Sequence, residues 1–165
     1  MLRTVALLFA ALSAASTCAL AQAAIHVQPA HLQGPRNLAD QTANAVVKNY
    51  IESWESLRTA LQQNRPELLD RDFVGAAKQK LTETIQQQSR LGMTTSYQDR
   101  SHDIQIVFYS PEGLSVELID NVDYDLQVSD KDKVLTTQPV HARYVVVMTP
   151  TEVRWRVRVM QAAAE

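Results

Sequence analysis

Asp120 is the residue whose type and position come closest to chemistry in this chain. It falls in the run Leu114 to Val128, where Leu114, Val116, Leu118, Val122, Tyr124, Leu126 and Val128 repeat with the period of two of a strand face. By that parity Asp120 points inward with Leu118 and Val122. A carboxylate held among apolar groups has its pKa raised and can serve as a general base. Tyr124 and Tyr144 share the inward parity of their strands and would donate hydrogen bonds to an oxyanion. The competing reading is structural: Asp120 and Asn121, two poor strand formers, mark the bend of a long strand and point at water or backbone. Buried polar groups are more often structural than catalytic, so the bend is the expected role and Asp120 a weak catalytic candidate.

His102 has the parity of Ile104 and Ile106 but opens its strand, which places it at a pocket rim. His102, Asp120, Tyr124 and Tyr144 are therefore the candidate pocket residues. His26 and His31 lack a third ligand, so no metal site is expected, and no cofactor either. There is no G-x-S-x-G, P-loop, H-E-x-x-H or G-x-G-x-x-G signature, and only 4 Gly to build a phosphate cradle.

Charge is arranged in stripes. Arg154, Arg156 and Arg158 alternate with Val153, Trp155, Val157 and Val159, and Arg143 lies on the outward parity of the preceding strand with His141. Glu117, Asp123 and Asp125 form an acidic stripe on the outward parity of theirs. Cross-strand ion pairing explains such stripes. Ile119, Val145 and Val147 share the outward face, however, and aliphatics among charges there read as an interface for a protein partner or a second copy.

The elements that must position these residues follow from periodicity. Ala43, Val46, Val47, Tyr50, Ile51, Trp54, Leu57 and Leu61 form one buried stripe of a long helix from Asp40 to about Asn64. Phe73, Val74, Ala77, Leu81, Ile85 and Leu91 predict a second helix over about 72–91, with Gly92 in the left-handed position beyond it. Strands are expected at 102–109, 114–128, 135–148 and 153–161. The fold class is α+β: two N-terminal helices packed in a strongly curved antiparallel sheet of about four strands, a cone. Tyr50, Trp54 and Trp155 are expected in its core.

At 165 residues, 45% hydrophobic and 21% charged, the chain suits one globular domain. A net charge of −2 and a pI near 6.1 argue against nucleic-acid binding. Arg3, the short apolar run Val5 to Leu12 and the A-x-A triplet Ala21-Gln22-Ala23 predict a signal peptide over 1–23 and an exported chain, periplasmic or secreted. The alternative of a lipoprotein acylated at Cys18 fits poorly, because Ala15-Ser16-Thr17 is no lipobox. No later run reaches the roughly 18 apolar residues of a membrane helix. Residues 24–37 are expected to be a flexible tether, 38–161 the domain and 162–165 a tail.

The order of elements, with the ending Ala142-Arg143-Tyr144-Val145-Val146-Val147-Met148 and then Val153-Arg154-Trp155-Arg156-Val157, resembles the nuclear transport factor 2-like (SnoaL/ketosteroid-isomerase-like) superfamily. Its members typically close with a hydrophobic strand, a turn and a strand carrying W-[RK]-[IV]. Tyr97, Glu117-Leu118-Ile119, Tyr144 and Trp155 resemble the IMS-type domains of the chloroplast division protein family. The resemblance spans about residues 38–161. It implies a cone that in different members hosts isomerases, dehydratases, ligand carriers, protein-binding modules or secretion components. Two functions are therefore open: a non-enzymatic interaction module using the outer sheet face, or a binder or isomerase-like enzyme taking a small apolar ligand in the cone with Asp120 as base.

Overall fold

The computed structural model describes residues 22–34, 36–131 and 133–163. The expected signal peptide, Cys18 included, lies outside the described residues, apart from Gln22 and Ala23. Strand β1 (Ala24–Val27) precedes helix α1 (Asp40–Gln63), a 3-10 turn (Pro66–Leu69) and helix α2 (Gly75–Arg90). Strands β2 (Met93–Tyr109), β3 (Val116–Asp130), β4 (Lys133–Pro150) and β5 (Trp155–Ala162) complete one sheet of order β1-β2-β3-β4-β5. Among the described residues no helix is long and apolar enough to cross a membrane.

Helix α1 forms because its apolar residues recur at helical spacing, and it buries Val46, Tyr50, Trp54, Leu57 and Leu61 against the sheet. Each such side chain contributes about 1.5–3 kcal/mol on burial. The helix ends where Asn64 turns left-handed (φ 53) and its N–H bonds back to the Ala60 carbonyl. Gly92, at φ 68, reverses the chain after α2, as its position predicted.

The sheet has five strands where about four were expected, and the extra one comes from the predicted tether. β1 pairs in parallel with β2, Ala24 opposite Ser101 through Val27 opposite Ile104. The stitching continues past Pro29, with the His31 N–H on the Ile106 carbonyl (3.0 Å) and the Gln33 N–H on the Val107 carbonyl (2.8 Å). Residues 24–33 are thus part of the domain. Their lack of periodicity hid this, because a short edge strand packs little of its own side-chain surface: all of β1 is exposed.

Bulges correct the strand parities. One lies between Asp99 and Ser101, another between Ile106 and Phe108, so Val107 and Tyr109 turn inward and Phe108 outward. A third lies at Arg158: Met148 faces Val157, but Val147 faces Val159 and Val146 faces Met160. Val159 therefore joins the outer face, and Met160 packs against the core in its place. Val153, expected inward, is 86% exposed, because β5 begins only at Trp155. The far edge of β5 is covered by the loop before α2, through bonds between Val74 N–H and the Val157 carbonyl and between Val157 N–H and the Asp72 carbonyl.

Candidate functional site

The interior is built around Asp120. β3 carries no bulge there, so Asp120 keeps the parity of Leu118 and Val122, opposite Tyr144 on β4 and Ile104 on β2. Its side chain is completely buried, so it neither marks a bend nor points at water as expected: the ladder runs unbroken through Asp120 and Asn121. Tyr50 and Trp54 project from α1 one turn apart, and Arg58 follows one turn later. Tyr50 donates its hydroxyl to Asp120 Oδ2 at 2.8 Å, and His102 Nδ1 meets the same oxygen at 2.7 Å. On the other side of the imidazole, Nε2 lies 3.8 Å from Asp99 Oδ2, and Arg58 Nη2 donates to that oxygen.

His102 is thus the hub of a buried chain, Tyr50–Asp120–His102–Asp99–Arg58, not the rim residue its place in the sequence suggested. β2 starts nine residues earlier than expected, at Met93, and the bulge at Arg100 brings both Asp99 and His102 to the inner face. Burial opposes the charged imidazole, but hydrogen bonds and charges from Asp120 and Asp99 outweigh it and raise the pKa from 6.5 to about 9. His102 is then an imidazolium at neutral pH, and two cations balance two carboxylates. Burial and the Asp120 charge hold Tyr50 well above the ordinary phenol value, so it stays a donor.

Trp54 fills the space beneath this chain. Its ring lies 5.1 Å from His102, 5.5 Å from Tyr97, 6.0 Å from Tyr124 and 5.7 Å from Tyr144, centroid to centroid. Tyr97 donates to the Trp54 carbonyl at 2.6 Å, and the Tyr124 and Tyr144 hydroxyls are 3.4 Å apart. Burial, then the bond to Tyr124, raises the Tyr144 pKa. Neither hydroxyl bonds to Asp120, and no acid–base pair with them forms.

A cavity of about 750 Å³ opens beside this plug. Ile51, Glu55 and Arg58 of α1 line it with Tyr97, Asp99 and His102 of β2, and Gln22, Ala23 and Ile25 close one side. Asp120, Tyr124 and Tyr144 do not line it. Within the wall, Asp99 Oδ1 and Arg58 Nε are buried without a hydrogen-bond partner. Among the described residues no group of three His, Cys, Asp or Glu side chains could hold a metal ion.

The charged stripes separate in space. Asp123 pairs with His141 (2.7 Å) and Ser101 (3.1 Å), and those bonds, His141 first, hold its carboxyl below the usual range. Asp125 is gripped by both arms of Arg100, which lowers it likewise. The acidic stripe thus finds partners on β2 and β4, not in the arginines of β5. Arg154 turns away from the outer face onto Glu52 and onto Asp72 (2.7 Å), because it precedes β5 in a turn against α1. Arg156 lies beside Lys48 and Glu52, and Arg158, at the bulge, packs against Gly75. Glu117 and Arg143 stay on the outer face, with no side-chain ion pair among the described residues. The sequence reading placed Tyr50 in the core but missed its bond to Asp120, and it missed Arg58 and Asp99. The signal was present for two: Tyr50, Trp54 and Arg58 are spaced by four, which puts a cation on the stripe that enters the core.

The fold is similar to two solved structures. The intermembrane space region of the chloroplast protein ARC6 aligns with a TM-score of 0.64 at 15% identity, covering 79% of this chain and 100% of that one. A putative scytalone dehydratase from Novosphingobium aromaticivorans aligns with a TM-score of 0.50 at 10% identity, covering 76% and 89%. No protein-family model and no curated protein matches the chain. The helix pair, the curled sheet and these two similarities give the nuclear transport factor 2-like fold that the closing strands resembled.

Proposed function

We propose that the chain is an exported, non-enzymatic interaction module that binds through the outer face of its sheet, in the first instance to a second copy of itself. The observation that carries this reading is the packing that seals Asp120. Asp120 is sealed: its oxygen Oδ2 is taken by Tyr50 and His102, Trp54 packs against His102, and the neighbouring cavity does not reach it. A protonated His102 is no general base at neutral pH.

The outer face, by contrast, is unfilled. Phe108, Ile119, Val145, Val147 and Val159 are each half-buried there and adjoin across β2 to β5. Glu117 sits within the strip, between Phe108 and Val147, and Arg143 lies two residues beyond Val145, so a two-fold arrangement sets each Glu117 against the other copy's Arg143. An apolar strip whose few charges meet opposite charges on the partner suits a protein interface. Export is supported by the leader pattern and by β1, whose first paired residue, Ala24, directly follows the expected cut.

Light scattering on residues 24–165 tests the reading. A dimer is expected, converted to monomer by Ile119→Asp with the far-UV spectrum unchanged. A monomer at every concentration, or a dimer indifferent to Ile119→Asp, removes it. The second reading, a small-molecule binder, is favoured by the cavity on His102, Asp99 and Arg58; a co-purified ligand in native mass spectrometry would establish it.

A further inference from the structure

The structure assigns, we infer, a second site: the hollow between α1 and the start of β5 binds a small dianionic oxyanion, a phosphate monoester or a dicarboxylate. The hollow measures about 500 Å³ and is walled by Lys48, Glu52, Arg71, Arg154 and Arg156, with Val153 at its lip. Two carboxylates serve the four cations. Glu52 is shared by Arg71 (3.1 Å), Arg154 and, at 4.0 Å, Lys48. Asp72, behind it, is shared by Arg154 (2.7 Å) and Arg71 (3.6 Å). A surplus of two positive charges remains, in a chain whose net charge is −2.

Arg156 is the unspent group. It makes no ion pair among the described residues, and its Nε is buried with no hydrogen-bond partner. A buried guanidinium N–H left unmet is costly, and a planar or tetrahedral oxyanion is the partner its fork fits. The site is also held ready. The Trp155 N–H bonds to Asn49 Oδ1 at 2.9 Å, which fixes the backbone between Arg154 and Arg156 against α1. Val153, 86% exposed at the lip, offers an apolar contact to the carbon part of a ligand. A dianion balances the surplus, whereas a single carboxylate leaves half of it.

None of the apolar strip lines the hollow, whose Lys48, Glu52 and Arg71 belong to α1 and the turn before α2, so the site is tested apart from the dimer. The test titrates inorganic phosphate and, separately, succinate into residues 24–165 at pH 7.5 and constant ionic strength, read by amide chemical shifts and thermal midpoint against chloride. At least one anion is expected to raise the midpoint and move the resonances of Arg156 and Lys48. Arg156→Gln should weaken binding at least tenfold with its fold intact, and Arg143→Gln, on the outer face, should leave binding unchanged. Phosphate alone, or succinate alone, identifies which of the two chemistries the site takes. Should Arg156→Gln fail to fold, Lys48→Gln, at an exposed position, carries the same expectation. No response to either anion beyond chloride, or variants that bind as the parent does, overturns the inference.

Discussion

The buried imidazolium makes stability depend on pH in a window where few other groups titrate. His102 has a folded pKa of about 9 against 6.5 in the unfolded chain, so between those values the folded state holds a proton the unfolded state has lost. The stabilisation is fully present below pH 6.5 and is lost as pH rises towards and through 9. At ~1.4 kcal/mol per tenfold in affinity, the interval corresponds to about 3 kcal/mol. His102→Gln removes the titrating group and leaves Asp99 and Asp120 without their shared cation. Urea unfolding of both proteins at half-unit steps from pH 6 to 9.5 reads the effect. The parent should lose about 3 kcal/mol across the window and the variant should be nearly flat, so the gap between them closes as pH rises. The exposed pairs His26–Asp103 and His141–Asp123 are common to both and cancel in the difference. Parallel curves for the two proteins would show that His102 is not the charged hub, and the case against a general base would fall with it.

Two further substitutions probe the plug and the turn. Trp54→Ala should cost about 3–5 kcal/mol and join the space beneath His102 to the neighbouring cavity; added indole should then raise the variant's thermal midpoint and not the parent's. Gly113→Ala should lower stability by about 1 kcal/mol or more in urea melts, since φ is +76 and the new Cβ would stand 2.9 Å from Arg36 Nη1 and 3.0 Å from Tyr109 Oη.

Helices α1 and α2 and the inward direction of Asp120, Tyr124 and Tyr144 were legible because burial on one face imposes a period, and no bulge disturbs β3 near residue 120. What periodicity cannot show is a change of phase. Tyr97 and Asp99 share one parity and His102, Ile104 and Ile106 the other, so a bulge must lie between them if all face inward, yet nothing in Arg100 itself announces it. The same holds at Arg158, where the alternation of Arg and Val continues in sequence while the ladder shifts beneath it. The arginines of β5 were misplaced for a related reason. Alternation gives a face, but Arg154 stands before the strand begins and answers to Glu52 and Asp72, more than eighty residues away in the chain.

β1 has a consequence in time. It pairs with a strand about 77 residues downstream, as His26 and Asp103 do through their side chains. A chain emerging from the ribosome N-terminus first must release both helices and half of β2 before Ala24 to Val27 find their place. Until then Ala24 to Val27 have no strand to pair with, and the edge of β2 stays open. Closing the edge strand is then the act that ends this interval.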